Sequence, residues 1–260
     1  MKFHFSWTIS ANDQMELESR LAIAAAKNLA HCTIWAQESE FAKVSERLKA
    51  AAEVLPYAHD PAMVLPWSST PKWGVKPQGD VLVGLDADVI VWRQDKVREA
   101  AELCLSENAV CGTLAYAPPF PADEWRSLLF YYGLEAQLPF HYSNTDEPSP
   151  FYINNGCVMM PASLLDRFRD SFYKYLPELN VRYPGLYYMC QVATTIAILK
   201  AGLRVRAMPI TFNYLENTNA GLPLLSEAAF LHYNSSRDNP FNAQHPQVRD
   251  RMRELEKEPI

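Results

Sequence analysis

Two aspartates interrupt the most apolar segment of the chain. Residues 80–91 run Asp-Val-Leu-Val-Gly-Leu-Asp-Ala-Asp-Val-Ile-Val, which predicts a buried strand that carries Asp86 and Asp88. Ionised carboxylates are costly to bury without partners, and residues i and i+2 of a strand point to the same face. We therefore expect the two acids to converge on one divalent cation, Mg²⁺ or Mn²⁺, with substrate phosphates as further ligands. The alternative is a pair of solvated loop acids or helix caps at a strand end.

Polar side chains also stand inside apolar segments of the second half of the chain. His232 lies in one such segment, where it is either a metal ligand or a core or solvated histidine. Asn154 and Asn155 precede Gly156, so they either contact a ligand or belong to a turn. Gln191 lies in a helical pattern and either faces a substrate or fills one side of that helix. These residues extend the list of candidates for binding and catalysis.

The elements that must position these residues alternate between strand and helix patterns. Strands are predicted over 3–10, 33–35, 81–92, 109–116, 151–160, 203–207 and 230–233, and helices over 13–30, 38–53, 94–106, 123–137, 162–177, 185–201 and 246–258. This alternation predicts an α/β fold with a mixed central sheet flanked by helices, in which the first 116 residues form nucleotide-binding βα units. Asp13 is predicted to cap the first helix or to contact a base or ribose.

The overall composition excludes several classes of protein. The 260 residues are 48% hydrophobic, and 24 basic against 30 acidic residues give a net charge of −6, so the chain is globular and acidic. Lysine and arginine never form a run of four, which argues against a nucleic-acid partner. Five cysteines without a Cys-x-x-Cys pair indicate reduced thiols in a cytoplasmic protein. We expect no transmembrane segment, because no apolar stretch reaches about 18 residues.

Five segments together resemble those of a known superfamily. The segment around Asp86 and Asp88 resembles the Asp-Ala-Asp motif of GT-A nucleotide-sugar glycosyltransferases. Four later segments resemble, in the same order, motifs of the retaining group that includes glycogenin-like and bacterial lipopolysaccharide galactosyltransferase-like enzymes. They are residues 151–156, the helix around Gln191, residues 208–213 and residues 230–233. The resemblance covers residues 3–241.

The resemblance implies a GT-A fold in one domain that spans residues 1–260. Residues 1–116 are the expected nucleotide-binding half, 117–245 the half for donor sugar and acceptor, and 246–260 a C-terminal helix. It also implies that Asp86, Asp88 and His232 hold Mn²⁺ or Mg²⁺, which bridges the diphosphate of the donor. Gln191 is then expected beside the anomeric carbon. The predicted catalytic residues are Gln191 and the metal ligand Asp88.

The same resemblance implies a set of donor contacts at the ends of strands and in the loops around them. They are Thr8, Ile9, Ser10, Asp13, Lys72, Lys76, Asp86, Ala87, Asn154, Asn155, Gly156 and Arg237. The chain departs from the group at Cys190 and Val192, where acids usually flank the glutamine, and at Arg237, which stands in place of a phosphate-binding lysine. Trp67, Trp73 and Trp125 either stack on an acceptor sugar or pack in the core.

These features predict a metal-dependent transferase that moves a sugar from a nucleoside-diphosphate sugar, UDP-linked by preference, to an acceptor hydroxyl with retention. The acceptor remains open among a glycan, a lipid-linked sugar, a protein and a small molecule. A lipid-linked acceptor would place the protein at the membrane surface, and otherwise we expect it in the cytoplasm. The alternatives are a degenerate GT-A domain without turnover, a haloacid-dehalogenase-type phosphatase and a nucleotidyltransferase.

Overall fold

The computed structural model describes residues 1–10, 12–59, 71–135, 139–142, 147–186, 188–216, 224–233, 241, 243 and 245–260. The strands are β1 (Phe3–Ile9), β2 (Ala30–Gln37), β3 (Glu53–Tyr57), β4 (Val81–Leu85), β5 (Val89–Val91), β6 (Ala109–Leu114), β7 (Ile153–Pro161), β8 (Arg204–Met208), β9 (Asn213–Leu215) and β10 (Phe230–His232). The helices are α1 (Asp13–Ala26), α2 (Glu46–Ala51), α3 (Gln94–Glu107), α4 (Ala122–Tyr131), α5 (Leu165–Arg182), α6 (Met189–Lys200) and α7 (Pro246–Lys257).

Seven strands form one mixed sheet in the order β3-β2-β1-β4-β7-β6-β8. All its neighbouring pairs are parallel except those of β7, which runs antiparallel to both β4 and β6. The central strand β4 is buried along its whole length, which explains its unbroken apolar sequence. The predicted α/β fold with a mixed sheet flanked by helices is therefore confirmed. A smaller sheet, in the order β5-β10-β9, stands beside the large one.

Several local predictions need correction. Asn12 rather than Asp13 caps α1, because its side-chain oxygen accepts the backbone N–H of Met15 at 2.8 Å. The helix predicted over 38–53 is reduced to a short 3₁₀ turn and the six-residue α2, and β3 follows it at once. The short strand β9 lies where a loop was expected, since pairing with β10 outweighs a weak local preference for the strand.

Two apolar cores hold the helices against the two faces of the large sheet. Trp73 and Trp125 are fully buried in the second core, so they pack there and do not offer a surface for stacking. Trp67 lies outside the described residues. Gly84 of β4 has a specific reason to lack a side chain, because a Cβ there would lie 2.3 Å from the Trp73 ring. Within the described residues, no helix combines the length and the apolar character that crossing a membrane requires.

A buried histidine at the start of β1 belongs to a chain of hydrogen bonds. The Nδ1 atom of His4 accepts the backbone N–H of Gln78 at 3.0 Å, and its Nε2 lies 2.9 Å from the hydroxyl of Thr33. That hydroxyl donates to Glu53 at 2.7 Å, so it accepts the proton on Nε2 and the imidazole is neutral. Burial, assisted by the neighbouring His31, lowers the pKa of His4 from 6.5 to about 4.

Acidification is expected to destabilise the fold through His4. Its pKa in the folded chain lies below the unfolded value, so the unfolded chain binds the proton more tightly. The contribution of His4 to the free energy of unfolding is full above pH 6.5 and is lost as the pH falls towards 4. Urea denaturation at pH 7 and at pH 5 measures how far the free energy of unfolding falls between the two pH values. We expect this fall to be smaller in His4→Gln than in the unmodified chain, by about 2 kcal/mol. Equal pH dependence in both proteins would contradict this assignment.

Candidate metal centre

The two aspartates lie in a turn that joins the large sheet to the small one. Asp86 directly follows β4, and its backbone N–H donates to the carbonyl of Gly156 in β7 at 2.9 Å. The backbone N–H of Val89, the first residue of β5, donates back to the carbonyl of Asp86 at 3.1 Å and closes the turn. The prediction that both acids share one face of a single strand is therefore wrong. The chain leaves the large sheet after Leu85, and the turn brings the acids together instead.

The small sheet supplies the third member of the site. β10 runs antiparallel to β5 with His232 opposite Val89, and the backbone N–H of Tyr233 donates to the carbonyl of Asp88 at 3.2 Å. This pairing sets the Nε2 atom of His232 3.2 Å from the Oδ1 atom of Asp88. Ligand atoms of Asp86, Asp88 and His232 all lie within 4.8 Å of one another. The structure thus brings the three predicted ligands together, although 144 residues separate Asp88 from His232 in sequence.

Opposite charges stabilise the pair of Asp88 and His232. Burial alone would lower the pKa of His232, but the carboxylate of Asp88 outweighs burial and raises it. Burial likewise raises the pKa of Asp88, and the charge and hydrogen bond of His232 overcome that effect and lower it. Each group thus favours the charged form of the other, a carboxylate beside a protonated imidazole. A divalent cation that displaces the imidazole proton would meet the same two ligand atoms.

A buried lysine adds a fixed positive charge to the site. Lys72 lies in a short 3₁₀ helix (Pro71–Trp73) and is only 1% exposed. Its ammonium nitrogen is 3.2 Å from the Oδ1 atom of Asp86 and 2.9 Å from the carbonyl oxygen of Asn155. Lys72 thereby ties the turn of Asp86 to β7. Lys76, the other predicted donor contact of this segment, is exposed four residues further along the chain.

The three ligands fit a divalent cation. Two carboxylates are the oxygen ligands that Mg²⁺ and Mn²⁺ prefer, and the imidazole, a softer ligand, favours Mn²⁺. The backbone of β7 approaches the imidazole closely, since a Cβ on Gly156 would lie 2.8 Å from the Cε1 atom of His232. Only glycine leaves room for the imidazole in this position. Gly156 therefore contributes to the site because its lack of a side chain makes room for the imidazole of His232.

The predicted sugar contacts lie between β7 and α6. The Oε1 atom of Gln191, in the first turn of α6, accepts the backbone N–H of Asn155 at 3.0 Å. The side chain of Asn155 is buried and accepts the hydroxyl of Thr194 at 3.0 Å, so it faces α6. Asn154 is half-buried, and its Oδ1 atom accepts the N–H of Gly156 at 2.8 Å. Asn154 and Asn155 belong to β7 and not to a turn.

The predicted nucleotide contacts at the end of β1 share the edge of the sheet that carries Asp86. β1 runs parallel to β4, so the carboxyl ends of both strands meet at this edge. Ile9 is buried, whereas Thr8 and Ser10 are half-buried. Asp13 is exposed in the first turn of α1.

Two predicted donor contacts remain. Ala87 is buried within the turn between Asp86 and Asp88. Arg237 lies outside the described residues.

Glu18 is a site residue that the sequence analysis missed. It lies on the buried face of α1 and accepts the side-chain amide of Gln14 at 3.0 Å. Burial raises the pKa of Glu18 to about 7, and the charge of Asp88 acts in the same direction. The sequence could have revealed this position. Glu18 precedes Ala22 by four residues and Ala25 by seven, a spacing that places all three on the same, buried face of α1. Glu18 is therefore a buried carboxyl group close enough to Asp88 and His232 for their charges to affect its pKa.

The comparisons with known proteins identify the fold. No protein-family model matches the sequence, and no curated protein matches it. The structure of the glycosyltransferase GlyE from Streptococcus pneumoniae matches with a TM-score of 0.58 and 13% identity, over 98% of this chain and 60% of that one. Its apo form matches with a TM-score of 0.59 and 14% identity, over the same shares of each chain. This chain thus spans about 60% of the length of GlyE.

A third solved structure, of a second protein, shows the same fold at nearly equal length. Mouse xyloside xylosyltransferase 1, in its apo form, matches with a TM-score of 0.53 and 10% identity, over 90% of this chain and 98% of that one. Similarity at such low identity establishes the fold alone. The predicted fold class is confirmed by these matches: this is a protein with a GT-A-like α/β fold, of the kind found in these glycosyltransferases.

Proposed function

We propose that this protein is a metal-dependent glycosyltransferase. It moves a sugar from a nucleoside-diphosphate sugar, with UDP as the preferred nucleotide, to an acceptor hydroxyl. The observation that carries the proposal is the cluster of Asp86, Asp88 and His232 at the carboxyl edge of a GT-A-like sheet. Ligands of α/β sheets bind at this edge, so a cation there lies where a nucleotide is expected.

Different residues of the site are proposed to bind different parts of the donor. Asp86, Asp88 and His232 are the proposed ligands of Mn²⁺ or Mg²⁺, which when bound supplies Lewis-acid stabilisation of the departing diphosphate. Lys72 holds the carboxylate of Asp86 in place and contributes a further positive charge beside it. Thr8, Ile9 and Ser10 offer backbone and side-chain groups to the nucleotide at the end of β1.

Retention of configuration is part of the proposal. Gln191 is held against β7 by the N–H of Asn155, which fixes the orientation of its amide next to Asn154. An inverting reaction would need a general base, and three acids of the second half that could serve as one, Asp123, Glu124 and Glu135, are exposed. Asp123 pairs with Arg126 on the surface of α4 at 2.8 Å. Such solvated acids lack the environment that tunes a general base, which favours the retaining reaction.

The proposed setting is the cytoplasm. All five cysteines are free thiols, and four of them are buried, as expected of a protein in a reducing compartment. Thiols in that state need no oxidising environment for folding.

Release of nucleoside diphosphate from a panel of donors tests the function. The panel contains UDP-glucose, UDP-galactose, UDP-N-acetylglucosamine, UDP-xylose and GDP-mannose, each with Mn²⁺ or with EDTA. We expect slow release from at least one UDP-sugar that requires Mn²⁺, because glycosyltransferases of this kind can transfer to water. Metal-dependent binding of UDP without release or transfer would favour a non-catalytic domain. In a parallel assay, release of phosphate from p-nitrophenyl phosphate would favour a phosphatase. Failure to bind any nucleotide would contradict the proposal.

A further inference from the structure

A line of aromatic rings runs from Gln191 to the surface. Tyr152 is buried directly before β7, and burial raises the pKa of its phenol while the nearby side chain of Gln191 acts in the opposite direction. Its ring centroid is 5.9 Å from that of Trp125, and the ring of Trp125 is 6.3 Å from that of Phe120. Phe120 in turn lies 4.9 Å from Tyr183, and both of these outer rings are half-buried. The buried rings therefore support an outer pair that reaches solvent.

Two exposed tyrosines flank the same region. Tyr116 is 49% exposed directly after Ala115, whose backbone N–H donates to the carbonyl of Tyr152 at 3.0 Å. Tyr188 is 56% exposed, and its carbonyl accepts the backbone N–H of Gln191 at 3.0 Å. Tyr188 is thus hydrogen-bonded directly to Gln191, and Tyr116 follows a residue that is hydrogen-bonded to Tyr152, two positions before Asn154. Exposed aromatic side chains grouped in this way mark a binding surface.

We propose that these four side chains form the acceptor-binding surface and that the acceptor is a carbohydrate. The members of this aromatic surface are Tyr116, Phe120, Tyr183 and Tyr188. The inference rests on the proposed function, because a transferase needs an acceptor hydroxyl next to the residue that faces the donor sugar. It goes beyond that function by selecting one class of acceptor, a glycan, from those that the sequence left open.

The chemistry of the surface favours a sugar over a lipid or a purely apolar partner. Three of the four members are tyrosines, which combine an apolar ring face with a hydroxyl group. A pyranose has the complementary pattern, with C–H groups on its faces and hydroxyl groups around its edge. Arg182 stands next to this surface, with its guanidinium 4.0 Å over the ring of Tyr131 and 5.9 Å from the ring of Tyr183. It braces Tyr183 and adds hydrogen-bond donors for hydroxyl groups.

The test measures binding of the full-length protein to a printed array of defined oligosaccharides, with UDP and Mn²⁺ present. We expect the unmodified protein to bind a subset of the array, and Tyr116→Ala and Tyr183→Ala each to weaken that binding about tenfold or more. Tyr116→Ala removes an exposed side chain and leaves the core intact, so it reports on binding even where Tyr183→Ala impairs folding. Phe130→Ala is the matched control, because Phe130 is a more exposed aromatic residue, at 81%, outside the aromatic surface.

Separate outcomes distinguish this inference from the proposed function. Binding of UDP and Mn²⁺, measured as a thermal shift, is expected to be unchanged in Tyr116→Ala and Tyr183→Ala, because neither residue belongs to the metal centre. Failure of the unmodified protein to bind any oligosaccharide, or an equal loss in Phe130→Ala, would overturn the acceptor surface and leave the metal centre standing. Oligosaccharide binding that depends on Tyr116 in a protein that binds no nucleotide would contradict only the proposed function.

Discussion

Asp88→Asn is expected to abolish metal-dependent binding of UDP and to lower transfer or donor hydrolysis by more than about 100-fold, since even partners that only support a metal ligand contribute 10–100-fold. The substitution keeps the shape of the side chain and removes its charge. It also withdraws the carboxylate that raises the pKa of His232. The fold should survive, because the bond from the N–H of Tyr233 goes to the backbone carbonyl of Asp88 and not to its side chain.

Calorimetric titration of the protein with Mn²⁺ in the presence of UDP checks this expectation. Asp166→Asn is the matched control, since it makes the same chemical change at a solvated acid on α5 that pairs with Arg169. The control should bind Mn²⁺ and UDP as the unmodified protein does. Unchanged affinity in Asp88→Asn would show that the carboxylate is not a metal ligand.

Gly156→Ala is expected to damage both the fold and the metal centre. The new Cβ would lie 2.8 Å from the Cε1 atom of His232 and 2.9 Å from the Oδ1 atom of Asn154, distances at which something must move. The backbone of Gly156 is held by the N–H of Asp86 next to the pairing of β7 with β4, so the imidazole and the side chain of Asn154 have to give way. We expect a loss of about 1–3 kcal/mol in the free energy of unfolding, the usual cost of overpacking, together with weaker binding of Mn²⁺.

Urea denaturation and a Mn²⁺ titration of the same variant separate the two effects. Gly133→Ala serves as the control, because Gly133 has a φ of +64° and a Cβ added there would meet no heavy atom within 4 Å. That substitution strains the backbone but leaves His232 in place, so it should lower stability without changing the affinity for Mn²⁺. Full Mn²⁺ affinity in Gly156→Ala would refute the role of the glycine in placing the imidazole.

The sequence predicted the elements that depend on strong local patterns. The apolar strand β4, the helices α3 and α7, and the mixed α/β class were all anticipated, because hydrophobic periodicity largely determines them. The grouping of Asp86, Asp88 and His232 was predicted from a resemblance, and the structure brings their ligand atoms together. The roles of these residues stay predictions.

Other features depend on contacts between distant segments, which no local pattern reveals. The turn of the two aspartates exists because β5 leaves the large sheet and pairs with β10, more than 130 residues away. The short strand β9 forms only through the same small sheet. The involvement of Lys72 and Asn155 in one hydrogen-bond network follows from their close approach across the large sheet, 83 residues apart in sequence. Their residue types alone gave no indication of that contact.

A crystal structure of the protein with Mn²⁺ and UDP tests the central claim most directly, through the anomalous signal of manganese. We predict one manganese peak within coordination distance of the carboxylates of Asp86 and Asp88 and of the imidazole of His232, with the diphosphate of UDP as a further ligand. A UDP molecule bound without manganese at these residues, or manganese bound elsewhere in the protein, would contradict it.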